Sequence, residues 1–116
     1  MNRKAKGIRF EREVKISLEK ESALVVRSAS SSFPDLVVFG KKITLIEVKT
    51  GYIRGDDVKR MKNLLRAILQ LQPQLVYFIE GQIISKDKVM TITPVQNHSL
   101  KTKVEFWAGE TKIGES

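Results

Sequence analysis

The sequence predicts a single α/β domain: a mixed central sheet of about five strands flanked by helices, in the order α-β-β-β-α-β-β. Three observations carry this reading. Short, nearly continuous apolar runs bounded by glycine, serine and proline alternate with two longer stretches of helical period. The 116 residues suit one compact domain, and 41% hydrophobic residues are enough for a modest core. No internal repeat or long linker divides the chain. The expected organisation is one domain over 1–95 with a basic arm at 1–7. A C-terminal extension over 96–116 belongs to the same domain.

The first helix is expected over 8–20, where Phe10, Val14 and Leu18 recur every four residues and charges fill the other faces. A strand follows over 23–29, and Ser30, Ser31 and Ser32 before Pro34 form a loop. The runs 36–39 and 43–48 flank Gly40-Lys41-Lys42, a hairpin signature. Both are almost wholly apolar, which predicts a central hairpin covered on both faces. After the loop 50–55, Asp56 and Asp57 start a second helix, where carboxylates satisfy free N–H groups and the dipole. Val58, Met61, Leu65 and Ile68 form its apolar stripe, widened by Leu64, Leu69 and Leu71, and Lys59, Lys62 and Arg66 form a solvated face. Pro73 ends this helix at about Leu71. Strands are expected at 75–79, with Phe78 in the core, and at 89–93. From Gln96 the patterning is poor, and Val104-Glu105-Phe106-Trp107 predicts a short strand before a loose tail.

Composition narrows the function. Lys+Arg 21 against Asp+Glu 13 gives a net charge of +8, which favours nucleic acid or an anionic membrane surface as partner. The absence of cysteine excludes disulfides, thiol catalysis and Cys-based zinc sites, and His98 alone cannot build a His-rich metal site. No apolar run approaches the roughly 18 residues of a membrane span, and no apolar signal region follows the basic N-terminus. A soluble cytoplasmic protein without a membrane partner is expected.

The hairpin carries the chemistry. A turn at Gly40-Lys41-Lys42 pairs Phe39 with Ile43 and, stepping outward, sets Asp35 opposite Glu47. Directly opposed residues hold their Cβ atoms roughly 4.5–5.5 Å apart on one face. Two acids so placed repel each other unless a cation lies between them, and hard carboxylate oxygens select Mg²⁺, with Mn²⁺ as substitute. Lys49, two residues beyond Glu47, projects from the same face. Two acids, a divalent ion and a lysine can neutralise a phosphodiester, activate water and stabilise developing charge. No small-molecule cofactor is expected.

Pro34-Asp35 followed by Glu47-Val48-Lys49 resembles the PD-(D/E)xK nuclease signature. Lys6-Gly7-Ile8-Arg9-Phe10-Glu11-Arg12-Glu13 resembles the K-G-x-x-x-E-R-E opening of archaeal Holliday junction resolvases. Val26-Arg27-Ser28-Ala29-Ser30-Ser31 is similar to their V-R-S-A-x-S segment. The motifs stand in family order and cover about residues 3–80. The resemblance implies a restriction-endonuclease-like core in a nuclease domain over 1–95. It implies Glu11, Asp35, Glu47 and the Val48 carbonyl as metal ligands and Lys49 as catalytic. Ser31, or its neighbours Ser30 or Ser32, would act near the cleaved strand.

Arg3, Lys4 and Lys6 form either a DNA-touching arm or a solvated terminus. The same resemblance implies phosphate contacts from Arg12 and Arg27. It further implies a homodimer that cuts paired strands of a four-way DNA junction in an archaeal or virus-infected archaeal cell. Two other readings are a nuclease of flaps, branched or single-stranded DNA, and a non-catalytic DNA-binding module on the same fold. Tyr52, Phe78 and Trp107 are candidates for a dimer interface, Phe78 favouring the core. The brief loop 50–55 departs from the longer basic segment usual in the family at this point.

Overall fold

The computed structural model describes residues 9–16, 24–28, 33–108 and 111–115. Residues 9–16 are helical (α1). Strands β1 (Leu24–Arg27), β2 (Leu36–Phe39) and β3 (Ile43–Val48) precede helix α2 (Gly55–Leu71) and a 3₁₀ turn (Pro73–Tyr77). Then come β4 (Ile79–Ile84), β5 (Lys88–Pro94), β6 (Leu100–Ala108) and β7 (Thr111–Glu115). These described strands form one sheet in chain order. Only the β3–β4 step is parallel, because α2 carries the chain back across the sheet between them.

Side-chain alternation sorts the strands onto two faces. On one face Leu45, Ile79, Ile83 and Ile92 pack under Met61, Leu65 and Leu69 of α2. On the other, Val25, Leu36, Val38 and Ile46 pack with Val14 of α1, Val48 and Ile84. The β2–β3 hairpin feeds both clusters, as its unbroken apolar runs predict. Its register is the predicted one, with Phe39 opposite Ile43 and Leu36 opposite Ile46. Among the described residues no helix is long and apolar enough to cross a membrane.

The structure departs from the sequence reading in four places. Residues 75–77 lie in the 3₁₀ turn, since Pro73 at its start favours a tight turn, and the strand begins at Ile79. Phe78 is 54% exposed and so outside the core. Leu71, at the last position of α2, is also exposed. The chain beyond residue 100 forms two paired strands, β6 and β7, which extend the sheet past the expected five.

Strand β4 meets α2 at Gly81. A Cβ there would lie 2.6 Å from Met61 Cγ and 2.7 Å from its Sδ. The glycine is required because the fully buried Met61 occupies the space a side chain would need.

Candidate active site

The site forms at one end of the sheet, where β1 and β3 finish and β2 begins. Ser28 donates its N–H to the Asp35 carbonyl at 2.9 Å, fastening the end of β1 to the start of β2. Continuing the observed register by one step sets Asp35 across from Glu47. The Asp35 carboxylate Oδ2 accepts the Val48 N–H at 2.8 Å, which holds the acid against β3.

Glu47 shares the α2-facing side of β3 with Leu45 and has Ile83 as its neighbour on β4. Burial pushes its carboxyl up to about 8. A hydrogen bond to the Asp35 carboxyl and that group's charge add to the shift, while Lys49 and Arg60 oppose it. The hydrogen bond between the two carboxyls needs one proton between them. The Glu47 Oε1 is buried with no hydrogen-bond partner among the described residues. An unsatisfied buried oxygen beside a second carboxyl is the donor set a hard divalent cation fits.

Lys49 is anchored twice. Its N–H donates to the Ile84 carbonyl at 2.8 Å, and its Nζ lies 3.4 Å from Asp57 Oδ1. Asp57, at the third position of α2, also accepts the Arg54 N–H at 2.8 Å and is buried. One turn further along, Arg60 stacks its guanidinium 4.3 Å above the centroid of the Phe33 ring. Phe33 precedes Pro34-Asp35, so α2 brackets the motif from both sides.

Asp35, Glu47 and Lys49 are therefore brought together, with Val48 between the last two. Glu11 is engaged elsewhere, accepting a 2.6 Å charge-assisted bond from Arg27 Nε. Among the described residues no cluster of three or more His, Cys, Asp or Glu side chains could hold a metal. Arg12 is exposed on α1. Arg3, Lys4, Lys6, Leu18, Ser30, Ser31 and Ser32 lie outside the described residues. Asp57 and Arg60 are the site residues that sequence reasoning missed. Asp57 stands four residues before Met61 and eight before Leu65, a spacing that puts it on the buried face of α2.

Residues 2–104 match the family model described as archaeal Holliday junction resolvase (hjc). The chain belongs to the archaeal Holliday junction resolvase family. Membership makes it a Holliday junction resolving endonuclease. A relative, the crossover junction endodeoxyribonuclease Hjc of Methanocaldococcus jannaschii, is 29% identical over 106 residues. That match covers 86% of this chain and 79% of the relative.

Proposed function

We propose that this resolvase cuts paired strands of four-way DNA junctions as a homodimer, by Mg²⁺-assisted phosphodiester hydrolysis at Asp35, Glu47 and Lys49. The observation that carries the chemistry is the Asp35–Glu47 pair with its buried, unpartnered Glu47 Oε1. Asp35 and Glu47 would hold the ion, with the Val48 carbonyl and Glu11 completing its shell. When bound, the ion supplies neutralisation of the phosphate and activation of water.

The chain's own groups do the rest. Lys49 presents its ammonium on the same face as Glu47, where it orients water or stabilises the developing negative charge. The Arg27 guanidinium is 40% exposed and bonded to Glu11. A backbone phosphate that took Arg27 would leave the Glu11 carboxylate available as a further ligand for the ion. The charge of +8 supports recognition through phosphates, with Arg12 as a further contact and the arm at Lys4 and Lys6 in the same role. Ser31 or its neighbours would act near the cleaved strand.

Paired nicks need two sites, and each chain carries one. An apolar patch at the end of the sheet away from the site supports self-association. Leu24 and Phe39 are register partners and both are exposed, at 64% and 44%. Exposed Phe78 lies at the same end of the sheet, where its carbonyl accepts the N–H of Ile43, the register partner of Phe39, at 2.6 Å. A patch of this kind on a small domain marks an interaction surface.

The test is cleavage of a synthetic four-way junction with Mg²⁺, mapped on all four strands beside flap and linear duplex substrates. Paired symmetric nicks in the junction, with linear duplex spared, are expected. Linear duplex cut as fast as the junction refutes junction resolution, and preferential flap cleavage supports the branched-DNA alternative instead.

A further inference from the structure

Lys49 stands one residue past the end of β3, at the start of an exposed loop, where a four-carbon side chain samples many rotamers. Its backbone is held by β4 through the Ile84 carbonyl, but that bond leaves the ammonium unplaced. What fixes the ammonium is Asp57. Its carboxylate has one oxygen on the Arg54 N–H and the other 3.4 Å from Lys49 Nζ. The side chain of Asp57 is 9% exposed and that of Lys49 29%, so the pair is shielded from bulk solvent far more than a surface ion pair. The capping bond prevents Asp57 from turning away, and the packing of Met61 and Leu65 prevents the helix from doing so.

We infer that Asp57 is a positioning residue for the reaction, acting through Lys49: the first turn of α2 holds the catalytic ammonium on the face of Asp35 and Glu47. This rests on the reading of Lys49 as catalytic. Asp57 does not touch substrate or metal in this scheme. It restricts Lys49 to the geometry that chemistry needs, and loss of such placement costs on the order of 100-fold in rate.

The test compares Asp57→Asn, Lys49→Ala and the double variant in the full chain, using a four-way junction with Mg²⁺. Single-turnover kcat, junction Kd and melting temperature are measured for each. Asparagine keeps an oxygen for the Arg54 N–H but carries no charge for Lys49. Asp57→Asn is expected to lose about 100-fold in kcat with junction Kd unchanged, and Asp57→Glu to recover part of it. In the Lys49→Ala background, Asp57→Asn is expected to cause no further loss.

A wild-type kcat in Asp57→Asn, whatever its melting temperature, overturns the inference and leaves the Lys49 reading intact. A further drop in the double variant also overturns it, because Asp57 then acts by another route. Full activity in Lys49→Ala removes the reading of Lys49 itself. Should Asp57→Asn fail to fold, Asp57→Ser supplies the same neutral comparison.

Discussion

Asp35 accepts the backbone N–H of Val48 at 2.8 Å, so a single carboxylate closes the active end of the hairpin and faces Glu47. The two roles separate by mutation. Asp35→Ala strands a part-buried N–H and is expected to lower stability by about 1–3 kcal/mol. Asp35→Asn keeps an acceptor and is expected to lose less. Both abolish cleavage while junction binding survives. Urea denaturation, gel-shift binding and junction cleavage on the two variants check this. Full cleavage by either variant sinks the proposed site.

The Glu47 carboxyl, raised from 4.5 to about 8, sets a pH dependence in metal-free protein. Between those values the unfolded chain has released the Glu47 proton and the folded chain still holds it. The folded state binds more protons, so the Glu47 contribution to stability falls as pH rises across the window and levels off above about 8. Melting in EDTA is expected to show that decline, and Glu47→Gln to flatten it. Mg²⁺ at neutral pH should raise the melting temperature and expel up to about one proton per ion. Calorimetry in buffers of different ionisation heat counts that proton. Uptake, or no exchange at all, contradicts metal binding at this carboxyl pair.

The exposed Leu24–Phe39 pair is the patch we propose for the dimer interface. Phe39→Glu would bring like charges face to face across a two-fold contact without touching the core. The variant is expected to sediment as a monomer, with wild type sedimenting as a dimer. Its paired nicking should give way to single nicks. A dimer retained in Phe39→Glu removes this patch from the interface.

How much of this was legible depended on whether local chemistry or distant packing decides each element. The hairpin register could be read because the turn at Gly40-Lys41-Lys42 leaves Phe39 facing Ile43, and Asp35 and Glu47 follow by counting. The second helix was legible from Asp56 to Leu71, with apolar spacing between an acidic start and a proline stop. Strand β4 was hidden for the opposite reason. Leu75-Val76-Tyr77-Phe78 has strand-like composition, yet Pro73 draws it into a tight turn. The residues that do form the strand include Glu80, Gly81 and Gln82, poor strand formers held by the parallel neighbour β3. On β6, exposed Lys101 and Lys103 alternate with half-buried Thr102 and Val104, a two-residue period that the sparse apolar content concealed.

The acids of the site announced themselves through the hairpin register, which sets Asp35 opposite Glu47. The partner of Lys49 did not, because an aspartate in the first turn of a helix already has a sufficient explanation as a cap. Only the contact with Lys49 reveals its second engagement. Glu11 was legible only through the family resemblance of its motif. Its bond to Arg27 depends on the separate placement of β1.

The missing side chain at Gly81 works as a depth gauge for the whole enzyme. It sets how near α2 settles onto β4, and the same helix carries Asp57 only four residues before Met61. Gly81→Ala would wedge the helix outward at Met61 and Leu65, with a stability loss of about 1–3 kcal/mol. The wedge also draws Asp57 away from Lys49, so cleavage is expected to fall even at temperatures where the variant is fully folded. A rate unchanged under those conditions would show that the helix tilts about its far end and leaves its first turn seated. A single absent methyl group, buried between α2 and β4, thereby calibrates the reach of a lysine.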